Sequence, residues 1–128
     1  MTNATWGIGT DGNGTSGKVA LWLQSDDATI LLNDVLSTGT AFDSTWHHIV
    51  WTDNNGTAKL YIDAKLDATN FNYTRKTTTL LNTFIGSQKA TDQFFNGTID
   101  DVRVYSRVLS AAEVRRLYIG NDVMGSGF

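Results

Sequence analysis

The stretch from Trp46 to Ile62 constrains this chain most: Trp46-His47-His48-Ile49-Val50-Trp51, then Thr52-Asp53-Asn54-Asn55-Gly56-Thr57, then Lys59-Leu60-Tyr61-Ile62. Asn55-Gly56 accepts positive φ at two successive positions, which a two-residue type I′ turn demands. The flanking apolar runs are therefore expected to pair as an antiparallel hairpin. Successive strand residues point to opposite faces, placing Trp46, His48 and Val50 on one side and His47, Ile49 and Trp51 on the other. Aromatic mass on both faces suits a strand central in its sheet, with the core beneath and a concave surface above.

The same signature recurs along the chain. Val19-Ala20-Leu21-Trp22-Leu23 and Thr29-Ile30-Leu31-Leu32 are short apolar runs bounded by turn formers, and further runs follow at 66–71, 77–81 and 83–86. Strands at this spacing, with no helices between them, argue for a sandwich or barrel and against a parallel α/β sheet. Twelve glycines, ten asparagines and eighteen threonines supply turn and strand chemistry, while proline is absent. Phe94 to Tyr105 reads as a long closing strand. One helix follows it: Ser110 is the N-cap with Glu113 three residues on, a capping box, and Leu109 is placed to pack on Val114 as a hydrophobic staple. Val114, Leu117 and Tyr118 form its apolar stripe and Gly120 ends it. The fold class expected is all-β, a two-sheet antiparallel sandwich with one short C-terminal helix, in a single domain over residues 1–128.

Charge and composition exclude several partners. The net charge is −3 and there is no basic stripe, so nucleic acid is not expected. No apolar run reaches membrane-spanning length, so no membrane partner is expected either. The first residues, Met1 to Thr10, lack the basic and apolar segments of a signal peptide. Cysteine is absent, which removes disulfides and thiolate metal sites.

Several motifs invite chemistry. Gly7-Ile8-Gly9-Thr10-Asp11-Gly12 matches the dinucleotide fingerprint, but a strand rather than a helix follows it, so the glycines are read as a flexible hairpin loop. Asp11-x-Asn13-x-Thr15 opens like an EF-hand loop, yet its sixth position is Ser16 and its twelfth Trp22. Asp11 and Asn13 remain as looser calcium contacts or as solvated turn residues. His47 and His48, adjacent on a strand, face apart and do not share one ion; one is expected near the core with a hydrogen-bond partner, the other on the surface. Glycoside hydrolysis needs two carboxyl groups flanking one bond. The single glutamate, Glu113, already belongs to the capping box, and Asp100 and Asp101 are adjacent on the closing strand and so face apart. The expectation is no enzyme. Among the aromatics, Trp22, Trp51 and Tyr73 are the candidate ligand-binding residues, since a flat ring stacks on the apolar face of a sugar.

Taken in order, Trp46-His47-His48-Ile49-Val50, Leu60-Tyr61-Ile62-Asp63, Phe84-Ile85-Gly86 and Phe95-Asn96-Gly97-Thr98-Ile99-Asp100-Asp101-Val102-Arg103-Val104-Tyr105 resemble the successive hallmarks of laminin-G-like domains. These belong to the concanavalin A-like lectin and glucanase superfamily. The resemblance continues through Ser106 to Ser110 and the helix, covers roughly residues 40 to 120, and extends to a hairpin from Trp6 to Gln24. It implies a jelly roll that binds carbohydrate, protein or cell-surface ligands, often with a structural calcium ion. It makes Asp100 a calcium ligand; the alternative is an Asp100 that pairs with Arg103 or caps a loop. Two departures stand out. The Asp-Gly turn of such domains is Asp63-Ala64 here, which is expected to take another geometry because Ala resists positive φ. Relatives also carry two strands ahead of the segment matching Trp6, so the domain is expected to be an incomplete copy. Its closing strand would have an uncovered edge, filled by rearranged local strands or by a second copy of the chain. The function expected is a non-catalytic module for a glycan or cell-surface ligand, extracellular or on the cell surface. The alternatives are a structural or receptor-binding domain of a phage or viral particle, and a glucanase-like hydrolase.

Overall fold

The computed structural model describes residues 4–80, 82–89 and 92–120. Strands β1 (Thr5–Thr10), β2 (Lys18–Gln24) and β3 (Ile30–Thr40) form one three-stranded antiparallel sheet in that order. Strands β4 (Ile49–Asn54), β5 (Thr57–Ile62) and the two-residue β6 (Lys65–Leu66) form a second. A short ribbon of β7 (Ser87–Lys89) and β8 (Asp92–Phe94) follows, and helix α1 (Ala111–Tyr118) closes the described chain.

The two larger sheets face each other across one core. Val19, Leu21, Leu23 and Leu32 from the first meet Ala58, Leu60 and Ile62 from the second, with Ala41 and Phe71 completing the cluster. Each large aliphatic side chain removed from water there contributes about 1.5–3 kcal/mol. The reverse face of β5 carries Tyr61, which packs with Leu109 and Val114 under the helix. Period-two alternation thus assigns β5 to two cores at once, as expected of a strand covered on both sides. The sandwich expected from the sequence is present.

The strongest local expectations hold. Asn55 and Gly56 have φ of 54° and 95°, and Asn54 pairs with Thr57 across them. Ser110 and Glu113 make the reciprocal capping box, and Leu109 and Val114 share one buried cluster.

Other expectations are corrected. The residues from Phe95 to Tyr105 form no strand, and residues 96–108 are all exposed. Asp101 has φ 54°, so the alternation invoked for Asp100 and Asp101 is broken there. The runs at 77–80 and 83–86 are not strands; Leu81 lies outside the described residues. Thr77 and Thr79 bond instead to the β2–β3 turn, where Asp26 N–H donates to the Thr77 carbonyl and the Asp26 carboxylate accepts from Thr79 N–H. Of the run 66–71 only Leu66 is in a strand, while Phe71 is a core residue.

Asp63 and Ala64 both adopt positive φ, 51° and 63°, so the turn does take the left-handed geometry that Ala resists. Tertiary bonds account for it. Ile62 pairs with Lys65 around the turn, and the Asp63 carboxylate accepts from His48 N–H at 2.9 Å and contacts His47 Nδ1 at 2.7 Å. The histidines do not divide as expected, because the hydrogen-bond partners fall to the less buried of the two. His47, nearer the surface, lies between Asp63 and Asp43, whereas His48 faces Tyr118 with its Nδ1 buried and without a partner among the described residues.

Candidate functional site

The first sheet turns one face away from the core, on which Ala20 is buried and Trp22 half-buried. Val19, Leu21 and Leu23 point into the core, so Ala20 and Trp22 must point away from it. The β1–β2 register sets Gly7 opposite Trp22 and Gly9 opposite Ala20, all on this outer face. A Cβ added at Gly7 or Gly9 would meet nothing within 4 Å among the described residues, and neither glycine has positive φ. Neither backbone conformation nor packing among the described residues requires glycine at these positions. Glycine inside a strand often marks a bulge, a tight bend, or a site where a ligand or another backbone approaches closely. These two residues were read above as part of a loop; they lie inside β1, and the alternation Trp6-Gly7-Ile8-Gly9-Thr10 carries the signal in plain view.

On the other side of Trp22 the ladder is irregular. Leu21 pairs with Val35 and Leu23 with Leu32, so Trp22 alone stands against two residues, Asn33 and Asp34. That is a β-bulge, with Asp34 at φ 49° and both residues exposed. Bulges re-aim side chains beside binding surfaces. The Asp34 carboxylate reaches the β1–β2 loop: a Cβ on Gly12 would lie 3.3 Å from Asp34 Oδ2. A partly exposed indole is thereby flanked by a floor without side chains on β1, and by an amide and a carboxylate on β3. A flat ring offers stacking to an apolar face, while Asn and Asp offer donors and acceptors for hydroxyls. Sequence reasoning singled out Trp22 but missed Gly7, Gly9, Asn33 and Asp34.

The other candidates are placed elsewhere. Trp51 packs on the core, edge-on to Phe71 with ring centroids 5.5 Å apart. Tyr73 packs on the same core and donates its hydroxyl to the Asp53 carboxylate; burial and that carboxylate push its phenol up to about 12. Asp11 accepts from Thr15 and Ser16 N–H at 3.0 and 3.2 Å, so its oxygens hold the β1–β2 loop together, and Asn13 sits exposed in that loop. Asp100 is exposed and accepts from Asp101 N–H at 2.7 Å. The bidentate partner of Arg103 is Asp101, at 2.8 and 2.9 Å, in place of the Asp100 pairing considered above.

A calcium ion takes six to eight oxygen ligands. Among the described residues no group of three His, Asp or Glu is placed to hold a metal ion.

Three further polar clusters are internally satisfied. Lys76 Nζ donates to Asp27 Oδ2 at 2.8 Å and to Thr29 Oγ1 at 2.9 Å, beside an open pocket lined by Asp26, Asp27, Lys76 and Thr77. The Lys76 and Ser25 hydrogen bonds hold the Asp27 carboxyl far below the usual range. At the loop leading into β4, the Thr45 hydroxyl and His47 hold the Asp43 carboxyl down at about 2, and Asp63 and Asp43 raise the His47 imidazole. Glu113 binds Arg107 and Ser110 N–H, and its carboxyl is held at about 2. These groups tie loops and the helix cap to the sandwich.

Comparison with known proteins agrees with this architecture. Residues 2–115 match the laminin G type within the concanavalin A-like lectin/glucanases superfamily. Among solved structures, residues 221–444 of an S-layer domain-containing protein from Clostridium thermocellum superpose with a TM-score of 0.54 at 21% identity. The alignment covers 92% of this chain and 64% of that one, so the chain spans less than two thirds of its structural neighbour. No curated protein matches the sequence. With the two-sheet core, the capped helix and a match across most of the chain, the protein belongs to the concanavalin A-like lectin/glucanases superfamily.

Proposed function

We propose that this domain is a non-catalytic binding module of the cell surface that takes a carbohydrate chain on the outer face of the β1–β2–β3 sheet. The observation that carries the reading is Trp22, held off the core beside Gly7 and Gly9 and opposite the bulged Asn33-Asp34 pair. A pyranose stacked on the indole would lie across the glycine floor, and Asn33 and Asp34 would bond its hydroxyls. The binding reading is favoured over hydrolysis because the lone glutamate is engaged by Arg107 and Ser110 and held ionised, unable to act as a general acid near neutral pH. The surface location rests on the likeness to an S-layer domain-containing protein. That likeness also favours a second reading, a structural module of a surface array, which would need no sugar.

Isothermal titration against a panel of soluble bacterial and plant polysaccharides separates the two. The expected result is binding by the wild type that weakens at least about tenfold, roughly 1.4 kcal/mol, in Trp22→Ala. Gly9→Val, which fills the floor, is expected to weaken it as well, with both variants keeping the wild-type melting temperature within a few degrees. No binding across the panel, or binding indifferent to Trp22, would remove the carbohydrate reading.

A further inference from the structure

The segment from Thr98 to Tyr105 has the composition of a strand and the exposure of a loop. Val104 is 93% exposed, Val102 54%, Ile99 44% and Tyr105 42%, an unusual density of open aliphatic and aromatic surface in eight residues. Among the described residues, no backbone hydrogen bond joins this segment to any strand. A segment rich in β-branched residues whose backbone pairs with no described strand is a template for strand addition.

The sequence of the segment says which strand fits. A two-fold axis perpendicular to a sheet keeps each residue on its own face, so a symmetric antiparallel pair can set a residue opposite only one of the same parity. With the axis at Val102, Val102 meets Val102, Asp101 meets Arg103 twice, and Ile99 meets Tyr105 twice. Cross-strand pairs of opposite charge, and of aromatic with β-branched residues, are the stabilising kinds. Moving the axis to Asp101 would set aspartate against aspartate, and moving it to Arg103 would set arginine against arginine. Of these three registers, only the one centred on Val102 sets opposite charges against each other. Asp101 and Arg103 already form a bidentate pair within the chain, so pairing would join two such pairs into one four-residue network on one face.

We propose that residues 98–105 pair with the same residues of a second copy of this chain, antiparallel about Val102, to make a two-fold dimer with a continuous strand edge. Asp101, now at φ 54°, becomes extended in that pairing. This dimer is independent of the carbohydrate reading.

Multi-angle light scattering across a concentration series reads it directly. The wild type is expected to reach the mass of two chains at high micromolar concentration. Arg103→Asp and Asp101→Arg, each of which sets like charges opposite, should each weaken self-association at least tenfold. Mixing these two variants should restore a dimer containing one of each, as should the double exchange D101R/R103D with itself. Because the exchanged residues are exposed, folding is checked by an unchanged melting temperature. A wild type that remains monomeric at high concentration would overturn the proposal. So would a dimer insensitive to both single variants, or single variants that fail to combine when mixed.

Discussion

Trp22 and Trp51 occupy equivalent contexts in sequence, each inside an apolar run, yet they end on opposite sides of their sheets. Trp51 points inward and meets Phe71 edge-on in the main core. Trp22 points outward, flanked by Gly7 on one neighbouring strand and by Asn33 and Asp34 on the other. The difference is one of register. Leu21 and Leu23 are committed to the core, so the residue between them cannot be; Ile49 and Trp51 are committed together, leaving Val50 to the helix side. A tryptophan's role in such a domain is thus settled by the parity of its neighbours rather than by its own surroundings in sequence.

The largest expected effect breaks the comparison at its buried end. Trp51→Ala should destabilise the fold by about 3–5 kcal/mol in chemical denaturation, the range for large aromatics removed from a core. Trp22→Ala should change stability by less than about 1 kcal/mol, as substitutions away from a core do. Equal losses at the two positions would show Trp22 to be a core residue and end the binding account.

A smaller effect tests whether turns hold the register of the second sheet. Ala64 sits at φ 63°, and left-handed backbone costs a residue with a Cβ roughly 1–2 kcal/mol. Ala64→Gly should therefore raise stability by about 1 kcal/mol, less the extra freedom glycine gives the unfolded chain. A loss on that substitution would mean that the Ala64 side chain, which packs on the helix-side cluster, matters more than the strain it carries.

The smallest effect is in the pH dependence and sharpens the separation between the sheets. The Asp63 and Asp43 carboxylates raise the His47 pKa, so its contribution is complete below the ordinary histidine value and fades as pH rises through the raised one. His48 runs the other way: burial lowers its pKa, so stability is lost as pH falls from the ordinary histidine value through the lowered one. His47→Gln should flatten the alkaline limb of the stability profile and His48→Gln the acidic limb. Polysaccharide binding at Trp22, on the other sheet, should follow neither limb. Binding that tracked His47 would place the ligand on the wrong sheet.

Much of this architecture is legible in the chain because it is local. Asn55-Gly56 requires a type I′ hairpin, and Ser110 with Glu113 requires a helix start, whatever surrounds them. The alternation around Val19 to Leu23 likewise shows which side chains enter the core. What is not legible depends on partners distant in sequence. The bulge that brings Asn33 and Asp34 beside Trp22 arises from the mismatch of two strands, and neither strand shows it alone. Asp63-Ala64 takes a geometry that its own propensity opposes, because bonds from His47 and His48 hold it. The closing segment has every local property of a strand, but a strand exists only once its hydrogen bonds are made, and no described strand makes them.

The most direct test of the central claim is a fluorescence titration with a binding polysaccharide, run in parallel on Trp22→Phe and Trp51→Phe. An indole covered by a sugar changes its emission, whereas one fixed in the core does not. The account predicts that the ligand-induced change persists in Trp51→Phe and disappears in Trp22→Phe. A change that persists in Trp22→Phe at unaltered affinity would contradict it.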